Sequence, residues 1–466
     1  MSSLLGFAGM RVQTWYAFSA VFVVSSCGLA HLPKSRDSLV IHTPAVWQSA
    51  ENEHNHKIAQ GWLQGFSDSR LHAIVRQAQE NNQNLQAAAA RMRAAKELTI
   101  QSRAALLPRL NAGGSGSLSD SDNGSSERYG LTLASSWEPD LWGRLRDLNR
   151  AVAADFDAAV AELRNARLSL AAATAKSYCN LISAQQQLVL AETTRDSFEK
   201  NLRIIERNYK AGVPNVRALD VQLGRSNVSA AQRSAKAREL ERDNATRALE
   251  ILLGKYPSTT LQAGRDLPIL SRSIPLGLPA QLIERRPDLQ ASRARILATA
   301  RRASASRKNL LPNLSLLGSA SMNQATVSRL LNPTDLATSV SANLTQALYA
   351  GGALESDVRA AVARNDAAIH DYAQRALEAF REVESAIAAE SSLAAQENDL
   401  QKEVEQAALA EKQAERDYSE GIDGVDILSV LESQRRANNA RSALIRLKNE
   451  RLQNRIDLHL ALGGSF

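Results

Sequence analysis

The sequence predicts a mainly α-helical chain of two tandem structural repeats, each a long coiled helical hairpin plus two strands that contribute to a membrane β-barrel. Three observations predict it. First, the stretch at 209–225, YKAGVPNVRALDVQLGR, returns at 418–434 as YSEGIDGVDILSVLESQ. At a fixed offset of 209, Tyr209 falls on Tyr418, Gly212 on Gly421, Val213 on Ile422, Val216 on Val425, Leu219 on Leu428 and Val221 on Val430. Second, 144–211 and 353–420 are each 68 consecutive residues without Gly or Pro. Such runs with apolar positions at threes and fours are packed helices, and at 1.5 Å per residue each reaches about 100 Å if unbroken. Third, the stretches before those runs alternate apolar with small or polar residues, which is the period of a strand.

In chain order, Arg11 precedes an apolar run at 15–24, too short to span a bilayer and suited to the core of an export signal; Met10, just before Arg11, is an alternative start. Val24-Ser25-Ser26-Cys27 resembles a bacterial lipobox, so 1–26 reads as a lipoprotein signal peptide and Cys27 as the lipidated, palmitate-bearing residue, with acyl chains as the anchor. An ordinary signal peptide with a chance Cys is the other reading. Gly28, where an Asp would favour inner-membrane retention in lipoproteins of this kind, points to the outer membrane.

Residues 27–68 read as a tether. Cys179 is the only other cysteine, so neither a disulfide framework nor a cysteine metal site is expected. His54-x-His56 supplies two ligands, too few to make a metal site. The formal charge is +7, but basic and acidic residues interleave along helical faces without stacking aromatics, which argues against nucleic acid.

Repeat 1 covers 69–254. Ser67-Asp68 caps a helix expected over 70–106, with Leu71, Ile74, Val75, Ala78, Leu85, Ala88, Ala89 and Met92 on its buried face. Pro108 ends it. Strands follow at about 111–119 and 128–137, separated by a Ser/Asp/Asn/Gly cluster. The long helix 144–211 carries a seam of Val152, Phe156, Val160, Leu163, Leu170, Leu181 and Leu188. Gly212 and Pro214 turn the chain, 216–253 returns as a helix, and Gly254 stops it. A connector, 255–276, leads to repeat 2 at 277–463. There Leu289-Gln290 repeats Leu85-Gln86 and Leu311-Pro312 repeats Leu107-Pro108, both at offset 204. Strands are expected at about 313–322 and 337–348, a long helix at 353–420 and a return helix at 425–462. The five-residue difference in offset falls within the strand hairpin.

Four strands cannot close a membrane barrel, and an open edge is not tolerated in lipid, so the barrel must be shared. Three copies give twelve strands on a barrel of helices, hence the expectation of a homotrimer. A soluble coiled-coil chain with polar hairpins is the alternative.

The stretch at 277–291, GLPAQLIERRPDLQA, closely resembles the opening of the second repeat in outer-membrane efflux proteins of the TolC and OprM type. Trp62-Leu-Gln-Gly-Phe-Ser-Asp68, the Leu-Pro sites at 107 and 311, Asp140-Leu-Trp-Gly-Arg144 and the Tyr-x-x-Gly turns match as well. With the lipobox, the branch resembling OprM and NodT is nearest. The resemblance runs from about residue 60 to Gly463. It implies a trimeric conduit in the outer membrane, extending into the periplasm, that docks to a periplasmic adaptor and an inner-membrane transporter of the RND type and exports drugs or other small molecules. A type I secretion conduit for polypeptides, or a periplasmic adaptor or scaffold, are the competing functions. No catalytic motif is present: no P-loop, no Gly-x-Ser-x-Gly and no His-Glu-x-x-His. No enzyme and no cofactor is expected.

The same resemblance implies a periplasmic gate formed by helix tips, where three copies of an inward carboxylate repel one another unless bridged. The matching positions are Asp423, Asp426, Glu432 and Arg435 in repeat 2 and Asp220 in repeat 1; a solvated turn or helix-cap carboxylate is the alternative role for each acid. Tyr209, Gly212, Tyr418 and Gly421 are expected to shape the tips and their adaptor contact. Trp137, Trp142 and Tyr349 either form an interfacial belt or pack at the junction of strands and helices.

Overall fold

The computed structural model describes residues 44, 46–49, 62–122, 124–213, 216–270, 279–329, 332–420 and 426–464. Cys27, the signal segment, His54, His56, Pro214, Gly277, Gly421, Asp423 and Val425 lie outside them. After a single turn of 3-10 helix at Trp62–Gly65, the elements are α1 (Ser69–Asn81), α2 (Gln83–Ala104), β1 (Arg109–Ser121), β2 (Gly124–Trp137), α3 (Arg144–Lys210) and α4 (Ala218–Leu252). The second half gives α5 (Pro279–Arg285), α6 (Pro287–Lys308), β3 (Asn313–Gln324), β4 (Ala337–Thr345), α7 (Ala353–Ser419) and α8 (Ile427–Ala461). The two long helices have 67 residues each and the two returning helices 35 each. No described helix is long and apolar enough to cross a membrane.

The chain forms two compact units. One holds Ala90–Ala161 and Gln290–Gln374; the other holds Glu162–Leu289, Arg375–Phe466 and the described residues between His42 and Ala89.

The first unit carries a four-stranded antiparallel sheet in the order β1-β2-β3-β4. Its two hairpins share one register: Arg109 opposes Ser136 in the first, and Asn313 opposes Thr345 in the second. First members differ by 204 and second members by 209, so the change of offset falls in the hairpin connection, where length is free to vary. Trp137 Nε1 donates to the Leu106 carbonyl at 3.0 Å, and at the same two offsets Gln346 Nε2 donates to the Leu310 carbonyl at 3.3 Å. Trp142 Nε1 donates to the Pro312 carbonyl at 2.7 Å. Trp137 thus ties the end of β2 to the segment between α2 and β1, and Trp142 ties the segment before α3 to the start of β3, whereas Tyr349 is 90% exposed. Where the α3 seam was expected on Val152, Phe156 and Val160, the buried positions are Ala151, Ala154, Ala158 and Ala161. Ala158 and Ala161 pack on Ala291 and Ala294 of α6; small side chains let the two backbones approach, while the larger ones stay half-buried on the flanks.

In the second unit, Asp68 caps α1 by accepting from Arg70 N at 2.8 Å and Leu71 N at 3.3 Å. The single helix expected over 70–106 is broken at Asn82. Its backbone is extended (φ −68°, ψ 123°), its amide donates to the Leu252 carbonyl at 3.0 Å, and its Oδ1 accepts from Leu85 N at 3.1 Å. Asn82 therefore caps α2 while bonding a residue 170 positions away, a contact no local pattern encodes. Beside it, Gly254 ends α4 at φ +69°, and a Cβ there would lie 2.5 Å from the Asn81 carbonyl oxygen. Its counterpart Gly463 (φ +67°) approaches Arg285 and Arg286 in the same way, at 3.3 Å.

Polar side chains join α3 to α8 along their antiparallel length: Lys176 pairs with Asp457, Asn449 donates to Asn180 at 2.8 Å, and Ser442 donates to Gln187 at 2.8 Å. α8 is tied on its other side to α7, by Arg441 to Glu411 (2.7 Å) and Arg451 to Glu397 (2.9 Å). α4 is held to α3 by Arg225 and Glu206 at 2.9 Å.

Candidate functional site

The turn ends of the two helical hairpins meet in the second unit. Ile205, Val221, Ile427 and Val430 form a buried apolar cluster, with Val216, Ala414, Tyr418 and Leu431 packed against it. It draws on α3, α4, α7 and α8, so both turns rest on one core. Gly212 closes α3: Gly212 N donates to the Tyr209 carbonyl and Val213 N to the Asn208 carbonyl, each at 3.1 Å, a Schellman arrangement. Gly212 has φ +68° and open space around it, so glycine is needed there for its backbone freedom alone. Tyr209 is exposed, whereas Tyr418 is half-buried in the cluster.

Asp220 is the buried carboxylate of this end, 3% exposed. Its Oδ2 accepts from Arg217 N at 2.8 Å, and its Oδ1, 3.8 Å from the Arg217 guanidinium, has no hydrogen-bond partner among the described residues. Burial, with the charge of Asp220 behind it, raises the Tyr418 phenol, so the structure brings Asp220 and Tyr418 together across the repeats. Asp426 is a helix cap: its Oδ1 accepts from Ser429 N at 2.9 Å and Ser429 Oγ at 2.8 Å, and those bonds hold its carboxyl below the usual range.

Glu432 and Arg435 lie one turn further along α8. Glu432 accepts from Arg436 Nε at 2.7 Å and from Arg435 Nε and a terminal nitrogen of Arg435 at 2.8 Å each, which holds its carboxyl low. These are pairs within one helix; no described residue of another helix joins them. Glu432 and Arg435 line an open groove of about 700 Å³ with Leu190, Phe198, Leu223 and Leu431 as its apolar wall. Behind this end Gln434, 1% exposed, donates to Glu415 at 2.7 Å and accepts from Asn201 at 3.2 Å, joining α8 to both long helices.

Three further polar sites lie outside the predicted site residues. Asp147, 2% exposed, receives Lys308 Nζ and Ser304 Oγ at 2.6 Å each, with Arg301 at 3.5 Å. Burial alone would raise its carboxyl, but those groups outweigh it and leave it below the usual range. In the Arg-Arg-Pro-Asp motif, Arg286 grips Asp288 through both oxygens (3.0 and 2.8 Å) and reaches Glu382 at 2.6 Å, so the motif clamps α6 to α7. His459 stacks on Trp62 with ring centres 5.6 Å apart and meets Phe66 edge-on. Burial, and secondarily the charge of Arg455, lower its pKa to about 4. The aromatic residues at 62 and 66 gave a signal in the matched motif; their partner, nearly 400 positions away, gave none.

A chain of two helical-hairpin repeats sharing one open sheet has the build of a channel subunit. The outer membrane efflux protein family model matches residues 74–255 and 278–464. The chain belongs to that family, whose members are outer-membrane channels and not enzymes. It is 28% identical over 476 residues to the pyoverdine export outer membrane protein OpmQ of Pseudomonas aeruginosa, covering 98% of each chain. It is 30% identical over 421 residues to the toluene efflux pump outer membrane protein TtgF of Pseudomonas putida, covering 87% of this chain and 85% of the other. The solved structure of the outer-membrane channel OprN matches with a TM-score of 0.84 at 27% identity, over 93% of this chain and 99% of that one.

Proposed function

We propose that this chain is the outer-membrane conduit of a three-part efflux system, working as a homotrimer whose four-stranded sheets close into one twelve-stranded barrel. The observation that carries this is the sheet itself. β1 and β4 have no partner strand on their outer sides among the described residues, and a lipid-facing edge must be paired. The helical hairpins extend the passage into the periplasm, where their turn ends meet an adaptor and, through it, an inner-membrane transporter of the RND type. That transporter supplies the energy; the channel itself is passive. Relatives named for pyoverdine and toluene favour small molecules as cargo over polypeptides.

Cys27 anchors the chain by lipid. Asp220, Asp423, Asp426, Glu432 and Arg435 are the gate candidates, and Tyr209, Gly212, Tyr418 and Gly421 present the adaptor contact. Of the described acids, Glu432 is the best gate candidate: its side chain is 41% exposed and its partners among the described residues are on its own helix, whereas Asp426 is engaged in capping.

Expression in a Gram-negative host lacking its own channel of this class, together with a matching adaptor and pump, tests the reading. Drug or solvent resistance should be restored only when all three parts are present. Resistance that needs neither adaptor nor pump would overturn it. Palmitate labelling should be lost in Cys27→Ser, and labelling that persists would remove the anchor.

A further inference from the structure

The identical hairpin registers, and the equivalent bonds of Trp137 and Gln346, give every position near the sheet a counterpart in the other repeat. Residues of α2 and β1 map onto α6 and β3 by adding 204; residues of β2 and α3 map onto β4 and α7 by adding 209. In the unit that carries the sheet, the described residues of the two repeats meet along one seam. In the sheet it is the β2–β3 pairing, in which Leu131 opposes Met322. In the helices it is α3 against α6, held by Asp147 with Arg301, Ser304 and Lys308 and by Asp155 with Arg302.

Carried across by the two offsets, this seam defines a second one, β4 against β1 and α7 against α2. One chain cannot form it, because β1 and β4 are opposite edges of a four-stranded sheet, and four strands are too few to close a barrel. The counterparts of Leu131 and Met322 are Val340 and Leu118, both apolar and both left bare, 88% and 72% exposed. The charges change sides. Asp147 and Asp155 on the long helix become Ser356 and Arg364; Arg301, Arg302, Ser304 and Lys308 on the short helix become Glu97, Leu98, Ile100 and Ala104. Arg150, 3.7 Å from Asp147, becomes Arg359. Glu97, Arg359 and Arg364 are exposed, and no hydrogen bond or ion pair joins them to another described residue. Leu98 and Ile100 beside Glu97 are 53% and 58% exposed.

We propose that a second copy of this chain covers these edges in the register that places Val340 opposite Leu118, with Glu97 of one copy paired to Arg359 of the next. The inverted polarity then keys the two seams. Within a chain the acids sit on the long helix and the bases on the short one; between copies the base sits on the long helix and the acid on the short. Exchanging the seams would set Asp147 against Glu97 and Arg364 against Arg302, would leave Asp155 against the apolar Leu98, and would give Arg301 and Lys308 the neutral Ser356 in place of Asp147, although Arg150 would still face Glu97 as Arg359 does. Like charges so placed repel, and the bases of α6 lose their acid, so the exchanged arrangement is disfavoured. The inference rests on the shared-barrel reading above and adds its residue-level register.

Two differently tagged copies of the full chain, one with Leu118→Cys and the other with Val340→Cys, are co-expressed and oxidised. Directly opposed strand residues lie roughly 4.5–5.5 Å apart at Cα, within disulfide reach. Disulfide-linked dimers carrying both tags should form several-fold more than with Leu118→Cys and Ala342→Cys, which stand two residues out of register. Separately, Glu97→Arg and Arg359→Glu should each lower the heat resistance of the assembled protein, and the combination should restore it. Assembled trimers that cross-link equally in both arrangements, or a double variant whose losses simply add, would overturn the register and the pairing. A chain that stays monomeric by mass in detergent and in bilayers would instead overturn the shared barrel itself.

Discussion

Lys308 Nζ lies 2.6 Å from Asp147 Oδ2, joining the start of the first long helix to the end of the short helix that opens the second strand pair. The carboxylate is buried while the lysine keeps a water-facing side, so the pair is asymmetric: losing the lysine leaves the acid inside. Lys308→Met should cost about 1–3 kcal/mol, because Asp147 keeps Ser304 and Arg301 but loses its shortest charged contact. Asp147→Asn combined with Lys308→Met should recover part of that, and thermal melts check both. The sign with pH follows from the lowered Asp147 carboxyl. Its contribution is complete above the ordinary carboxylate value and disappears as pH falls through the lower folded value. Wild-type protein should therefore lose stability in acid more steeply than Asp147→Asn.

His459 gives a second pH dependence. With its pKa lowered from 6.5 to about 4, the folded chain holds it neutral while the unfolded chain takes up a proton below 6.5. Stability should rise with pH between those values, by at most about 3 kcal/mol, and be flat above. His459→Phe, which keeps the stack on Trp62, should flatten that stretch of a pH series of melting temperatures.

The glycines at the helix ends separate two physical causes. Gly212→Ala meets only the cost of a left-handed backbone, about 1 kcal/mol. Gly254→Ala meets that cost and a Cβ driven onto the Asn81 carbonyl, so its loss should be clearly larger. Equal melting temperatures for the two variants would contradict the packing described for Gly254.

At the turn end, Glu432→Ala removes a half-buried acid whose partners lie on its own helix, so the melting temperature should stay near wild type while ion leakage through the channel rises. Asp426→Ala removes a cap and should cost about 1 kcal/mol with little effect on leakage. Leakage unchanged in Glu432→Ala would remove that residue from the gate.

The repeat, the long helices and the strand pairs were legible because each is written locally. Gly and Pro are absent from the two long runs, period-two alternation marks Tyr129 to Leu133, and Gly212 and Gly254 punctuate the ends. The turn-end candidates were legible as positions but not wholly as geometry: the spacing of Arg435 and Arg436 from Glu432 on one helix is that of an ion pair, but nothing local shows that Asp220 is buried beside Tyr418. Contacts between distant segments were not legible at all. Asn82 breaks its helix for a carbonyl on α4, Gln434 is buried between Asn201 and Glu415, and Asp147 finds its lysine more than 150 residues later. The alanine seam of α3 was missed for a different reason. Its buried residues are the small ones, and a pattern weighted toward large apolar side chains follows the flanks.

Single-channel recording of the purified, folded protein in planar lipid bilayers tests the central claim most directly. A channel shared by three copies predicts discrete, uniform steps of ion conductance that grow when Glu432 is replaced by Ala. A protein that is trimeric by mass and helical by circular dichroism, yet passes no current in either form, would contradict it.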